Sequence, residues 1–472
     1  MSRAWETELE IRRSARPKDL SDAGQTWGAM KWLRESQDNM LVVLWYSEVP
    51  VSGAPQCLMR GAVQAAANRG LDVSAADRLL VAGQDAFARW DIGALTGLTS
   101  LLWRELALAP VDPASPYWTH RLVTTWEEHR AAVSFPAPEP VAPADLDARV
   151  EAGWLAQICG GALGSALEGY SADRIAERYG DVTGYLQPPT TYNDDIAFEL
   201  AFLEAFAHRG HLVTSADVAE RWVVLVPFGW SAEHVALANL RLGLYPPESG
   251  TRANPFTDWI GAQMRGAMCG LVAPGDAAEA ARLAWIDGVV SHAGNGVLGE
   301  TFNAMLTALA FVRRDVRALV EEVTGLIPPG TQYRWVLDQA LAACREAERE
   351  DPGAANSPAW TAWRRCEKLL EEYNWVHAYP NAAAEVVALW FGRGDFDRTM
   401  QLIARCGLDV DCNAAQVAGV RGAMLGPEGI GRRWTDPIGD TLETYVRGMD
   451  TLSIKALAAR TVEAARNAAK RG

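Results

Sequence analysis

Apolar residues recur every three or four positions through most of the chain, and that spacing predicts helices. From about residue 148 onward it predicts them over 148–168, 194–208, 216–224, 232–242, 278–290, 299–312, 315–326, 333–348, 360–372, 381–392, 396–405 and 413–424, joined by short turns of Gly, Pro, Asn and Asp. Earlier, Leu58 to Arg69, Ala75 to Arg89 and Leu95 to Leu108 carry an apolar face at the same spacing. The run Met40 to Trp45 suits either a strand or the middle of a helix. Alternating β patterns are scarce and no fixed-period repeat appears. The expected fold class is all-α.

One interruption divides the chain. Between Phe135 and Pro143 four prolines fall within nine residues, a density that helix and central strand both exclude. The expected organisation is a mostly helical N-terminal accessory region (1–135), a Pro-rich linker (136–147) and a catalytic domain (148–472). The accessory region holds eight of the 19 tryptophans but no evident chemistry. Two later helices carry small residues along one side: Ala156, Gly160, Gly161 and Gly164 in one, Ala415, Gly419, Gly422 and Gly426 in the other. Glycine weakens a helix interior by about 1 kcal/mol, so such a face implies that another backbone or a ligand comes very close.

Composition narrows the class. The 472 residues are 49% hydrophobic and 22% charged, the balance of a globular protein, and a chain of this size buries about three quarters of its surface. A net charge of −15 without any Lys/Arg run argues against nucleic acid as a partner. No apolar stretch is long enough for a membrane span, and the charged start is no signal peptide. Seven scattered cysteines, with no Cys-x-x-Cys pair, suit free thiols and a cytoplasmic location.

Candidate chemistry gathers at helix starts. Asn193, Asp194 and Asp195 precede the stripe Ile196, Leu200, Leu203 and Ala207, which places them at a helix N-terminus where the dipole favours carboxylates. Asp409, Asp411 and Cys412 open the second small-residue helix in the same way. Either element alone reads as an ordinary cap. Together, four carboxylates at two helix N-termini suggest an oxygen-rich Mg²⁺ or Mn²⁺ site, possible for two ions. Ser291, His292, Asn295 and Gly296 fall in a polar loop between apolar helices, and His377 in a similar one, where ligand contacts concentrate. Glu168 closes the first small-residue helix, where the dipole disfavours an acid.

The order of these elements resembles the ADP-ribosylglycohydrolase family, in a variant bacterial branch. The similarity runs from about 150 to 450 and includes Asn254 to Arg265, Asn295 to Glu300 and Trp434 to Asp440. It implies an all-α domain with a binuclear Mg²⁺ (or Mn²⁺) centre held by Asn193, Asp194, Asp195, Asp409, Asp411 and Cys412. It implies catalytic roles for Glu168, Asp195 and Asp411 and a substrate contact from His292; Ser291, Asn295, Gly296 and His377, from the polar loops, complete the expected substrate-binding residues. Asn193 and Cys412 stand where the family has threonine, and a neutral thiol is a poor Mg²⁺ ligand. Ile196 and Val410 replace usual hydroxyls, and Ala267 an acid frequent in that branch. The expected activity is metal-dependent hydrolysis at a ribose anomeric carbon, releasing ADP-ribose from a modified acceptor, possible also on an ADP-ribosylated protein. A small nucleoside, nucleotide or natural-product riboside is the alternative substrate, which a cap formed by the N-terminal region would favour, and a non-catalytic ADP-ribose-binding protein is the third reading.

Overall fold

The two small-residue helices, Pro143–Gly164 and Val410–Leu425, lie against each other at the centre of the molecule. A Cβ on Gly160 would fall 2.2 Å from the Ala414 carbonyl oxygen, and one on Gly164 2.2 Å from the Asp411 backbone. Close backbone approach therefore accounts for the glycines there. The approach also carries the first turn of Val410–Leu425 up to the end of Pro143–Gly164, and so brings Asp409 and Asp411 towards the residues that follow it. Gly426 lies outside this face; it ends its helix with φ +73°.

The computed structural model describes residues 3–19, 26–350 and 357–470, and is 65% helix and 4% strand. Helices at Asp194–Arg209, Asn295–Ala310 and Ala378–Gly392 pack around the central pair. Every residue of Asn295–Ala310 is buried, so that helix is enclosed on all sides, its polar residues Glu300, Thr301, Asn303 and Thr307 included. The Arg149 guanidinium ties the C-terminal carbonyls of two elements together, donating to Ala423 at 2.7 Å and Phe311 at 2.7 Å.

Several expected boundaries move. Helix takes over at Pro143, inside the expected linker, because proline is tolerated in a first helical turn. Its last residue is Gly164, so Glu168 stands in the turns beyond and not in the helix. Helices at Ala172–Tyr179 and Ile454–Ala469 and two short hairpins add to those expected.

Before residue 135, helices span Lys31–Trp45, Leu58–Asn68, Ser74–Ala88 and Ile92–Leu108, and Met40 to Trp45 is the end of the first. Trp45, Met59, Leu95 and Leu102 form a second, smaller core, and Ala232, Phe256 and Trp259 join it from later in the chain. A hairpin, Ser47–Glu48 paired with Pro55–Gln56, projects from this region. None of the described helices is long and apolar enough to cross a membrane.

Candidate metal and substrate site

Two helix starts and one turn build the site. Asn193 caps Asp194–Arg209, its Oδ1 accepting the Asp195 N–H at 2.8 Å, while its Nδ2 donates to Asp411 Oδ2 at 3.1 Å. Asp409 stands at the cap of Val410–Leu425 after two residues of positive φ, Gly407 (+74°) and Leu408 (+69°). A leucine there is strained, and the surroundings must hold it. They do so through backbone: Gly169 N–H donates to the Leu408 carbonyl at 2.9 Å and Leu408 N–H to the Tyr170 carbonyl at 3.2 Å. This short ladder fixes the Glu168 turn against the Asp409 turn. On its other side the Glu168 turn carries the N-terminal hairpin: Tyr170 OH donates to the Ser52 carbonyl at 2.9 Å, and a Cβ on Gly169 would lie 2.8 Å from Ala54.

Glu168, Asp194, Asp409 and Asp411 consequently line one cleft, with Asn193 and Cys412 beside them. The cleft encloses about 1130 Å³, its open mouth included. Burial raises every one of these carboxyls above the usual range; neighbouring carboxylate charges add to it for Glu168, Asp194 and Asp409, while hydrogen bonds from Asn193 and the backbone pull Asp411 the other way. For Asp194 the result is about 7, from burial and then the Asp411 charge. Asp195 lies behind, similarly raised, at 1% exposure. Asp195 Oδ2, Asp409 Oδ1 and Asp411 Oδ1 are buried without a hydrogen-bond partner. Unpaired buried carboxylate oxygens are costly, and hard divalent cations are the chemistry that satisfies such a donor set. The residues present fit that group.

Cys412 is within reach of the same cation, its sulfur and the Asp409 and Asp411 oxygens lying within 4.8 Å of one another. In this geometry the thiol donates instead to Asp195 Oδ1 at 3.2 Å. Burial and the surrounding aspartates push the thiol well above its ordinary value, which keeps the proton on sulfur.

The remaining expected residues lie elsewhere: none of Ser291, His292, Asn295, Gly296 and His377 lines the cleft. Ser291 and His292 turn inward to a buried charge cluster around Arg265. Its guanidinium donates to Asp287, to Glu233 Oε1 at 2.9 Å and to Ser291 Oγ at 3.0 Å, with Glu300 at 3.7 Å. His292 Nδ1 meets Ser291 Oγ at 2.7 Å, and burial followed by the Arg265 charge keeps the ring neutral. Asn295 accepts the Tyr333 N–H at 3.3 Å. Gly296 is packed so closely that a Cβ would fall 2.0 Å from the Thr257 carbonyl oxygen. His377 caps Ala378–Gly392 through Nδ1, which accepts the Tyr379 N–H at 3.2 Å.

The cleft holds residues that sequence reading did not single out. Glu233, in the first turn of Ser231–Arg241, reaches its wall, as do Tyr192, Phe228, Trp230, Trp259, Trp375 and Tyr445. The N-terminal hairpin and the helix after it add Val49, Pro50, Val51, Gln56 and Leu58. The region without evident chemistry thus forms part of the cleft. The one available signal was Arg265, a lone cation in an otherwise apolar run.

The family model for ADP-ribosylglycohydrolase matches residues 142–470. An uncharacterized protein of Archaeoglobus fulgidus is 26% identical over 296 residues, spanning 60% of this chain and 88% of that protein. A solved ADP-ribosylglycohydrolase-related protein complex aligns with a TM-score of 0.48 at 21% identity, over 68% of this chain and 99% of the other. With the family match extending over well more than half of its length, this chain belongs to the ADP-ribosylglycohydrolase family.

Proposed function

We propose that the protein is a divalent-cation-dependent hydrolase of an N- or O-glycosidic bond at the anomeric carbon of a ribose. The observation that carries this reading is the convergence of Glu168, Asp194, Asp409 and Asp411 at one cleft, with Asp195 behind them and three buried carboxylate oxygens left unpaired. Family membership supports the sugar and an ADP-ribose-like substrate.

Asp194, Asp195, Asp409 and Asp411, with the amide oxygen of Asn193, would hold Mg²⁺ or Mn²⁺, and charge balance calls for about two ions. When bound, such ions neutralise the carboxylates and polarise water and ribose hydroxyls. Asp411 accepts a hydrogen bond from the attacking water through its free Oδ1. Cys412, by donating to Asp195 Oδ1, leaves Oδ2 as the oxygen of that carboxylate free to ligate. Glu168 stands apart from the two helix starts, pinned between the Asp409 turn and the hairpin. It gives a proton to the leaving atom as the glycosidic bond breaks, and recovers one from the water that adds to the anomeric carbon.

Chromatographic assay of product release, with Mg²⁺ and with EDTA, tests the reading on mono-ADP-ribosylated arginine and serine peptides and on free ribosides. Release is expected only with the cation. Glu168→Gln is expected to slow turnover by about 10²–10³-fold while leaving Mg²⁺ uptake unchanged. Turnover that survives EDTA, or is indifferent to Glu168→Gln, would sink the assignment.

A further inference from the structure

The position of Glu168 decides which part of the cleft an acceptor faces. In the proposed reaction the ribose is held from the side of Asp194, Asp409 and Asp411, while Glu168 stands between the Asp409 turn and the N-terminal hairpin. The group that departs beside Glu168 therefore lies towards the hairpin, against which Gly169 and Tyr170 are seated through Ala54 and Ser52. Val49, Pro50, Val51 and Gln56 of that hairpin line the cleft, with Leu58 after it and Trp375, whose ring comes 3.8 Å from a Cβ on Gly169. All six are uncharged.

The tip of the hairpin is held in one shape. Val51 has φ +69°, a conformation that a β-branched residue rarely adopts and that its surroundings must impose. The backbone supplies the constraint: Val49 N–H donates to the Ala54 carbonyl at 2.8 Å, Gly53 N–H to the Val49 carbonyl at 2.9 Å and Ser52 N–H to the Pro50 carbonyl at 2.8 Å. Val51 is half-exposed at the cleft wall, so burial of its side chain does not repay that strain. The carboxylates elsewhere in the lining already have work. The cations would neutralise Asp194, Asp409 and Asp411, Glu168 must carry the proton it donates, and Glu233 is paired with Arg265 at 2.9 Å. Among the described lining residues no anion is left to receive a guanidinium, and an arginine acceptor stays charged.

We infer that the hairpin is the acceptor-recognising wall of the cleft, with Val51 as its specificity-determining residue, and that it takes an uncharged, hydroxyl-bearing acceptor in preference to a guanidinium. Such an acceptor leaves as a neutral alcohol once Glu168 has given it a proton. The hairpin precedes the family-matching segment 142–470, so the recognition is supplied from outside that domain. This rests on the proposed cation-dependent hydrolase with Glu168 as its acid, and specifies the acceptor attached to ADP-ribose.

The test is steady-state hydrolysis, by the full-length protein in Mg²⁺, of serine-linked and arginine-linked mono-ADP-ribosyl peptides of otherwise identical sequence, with free ribosides assayed alongside. The wild type is expected to favour the serine-linked peptide by about tenfold or more in kcat/KM. Val51→Asp puts an anion on the wall, and aspartate tolerates the left-handed conformation. That variant is expected to cut the preference by about tenfold, chiefly by lowering KM for the arginine-linked peptide. Val51→Asn, of the same shape without the charge, is expected to stay within about threefold of the wild-type preference, which separates the charge from any change in the turn itself. The stoichiometry of Mg²⁺ uptake, read by calorimetry, is expected to be the same in all three proteins. Equal release from the two peptides by the wild type, or the same preference in Val51→Asp and Val51→Asn, overturns the inference and leaves the proposed function standing. Cation-dependent release from the ribosides alone does the same, and release from none of the substrates overturns both.

Discussion

Replacing Arg265 by methionine is expected to destabilise the protein by about 3–5 kcal/mol near pH 8, read from urea unfolding. The guanidinium is 1% exposed and is the shared partner of Glu233, Asp287 and Glu300. Burial works against its charge, but those three carboxylates outweigh burial and hold it charged. Removing one member of a buried ionic network leaves the others uncompensated, which is where losses of this size come from. The rings of Trp222 and Phe198, 4.8 and 5.7 Å from the guanidinium carbon, lose a cation as well.

The loss has a pH signature. Glu233 and Glu300 already sit above the usual glutamate value because burial outweighs Arg265, and without the arginine they rise further. A carboxyl raised in the folded state binds its proton more tightly than in the unfolded chain, so its contribution favours folding at low pH and is lost as pH rises through the folded value. The Arg265→Met deficit is therefore expected to shrink as pH falls towards 5 and to widen above neutrality. Adding Asp287→Asn should recover part of it. A deficit that is flat with pH, or below about 1 kcal/mol, would contradict the role given to the cluster.

The second large effect links the central helices to the site. Gly164→Ala places a Cβ 2.2 Å from Asp411 Cα and N and 2.4 Å from the Val410 carbonyl carbon. These are backbone atoms and cannot rotate away, so the two helices must part. Overpacking of this kind costs about 1–3 kcal/mol or more. Because Asp411 moves relative to the Glu168 turn, Mg²⁺ affinity is expected to fall at least tenfold as well. Gly419→Ala is the control on the same face: its Cβ meets Gln157 at 3.4 Å, close to ordinary contact. That variant is expected to be near neutral, with helix propensity in its favour by up to about 1 kcal/mol. Equal effects from the two substitutions would show that the Gly164 contact does not set the site.

The parts of the molecule that local chemistry determines could be read from the chain. Asn193 ahead of two aspartates and an apolar helix is a cap by its own hydrogen-bonding capacity, and the structure places it there. The glycines at 160, 164 and 422 announced close approach because nothing else repays their loss of helix propensity. Features that depend on distant segments were not legible. Glu168 continues the apolar periodicity of its helix, yet the backbone ladder from Leu408 and Tyr170 turns the chain after Gly164. Ser291 and His292 resemble a solvent-facing loop until Arg265, 26 residues away, draws them inward. Val49 to Gln56 has no chemical residue to attract notice, and only tertiary packing against Gly169 carries it to the cleft.

The central claim is that the carboxylates at the two helix starts form a divalent-cation site. Calorimetric titration of Mg²⁺ and Mn²⁺ into cation-free wild-type protein and into Asp411→Asn tests it most directly. The account predicts saturable uptake of about two ions per chain by the wild type, with affinity at least tenfold weaker in a variant that remains folded. No uptake by the wild type, or the same uptake by both proteins, would contradict it.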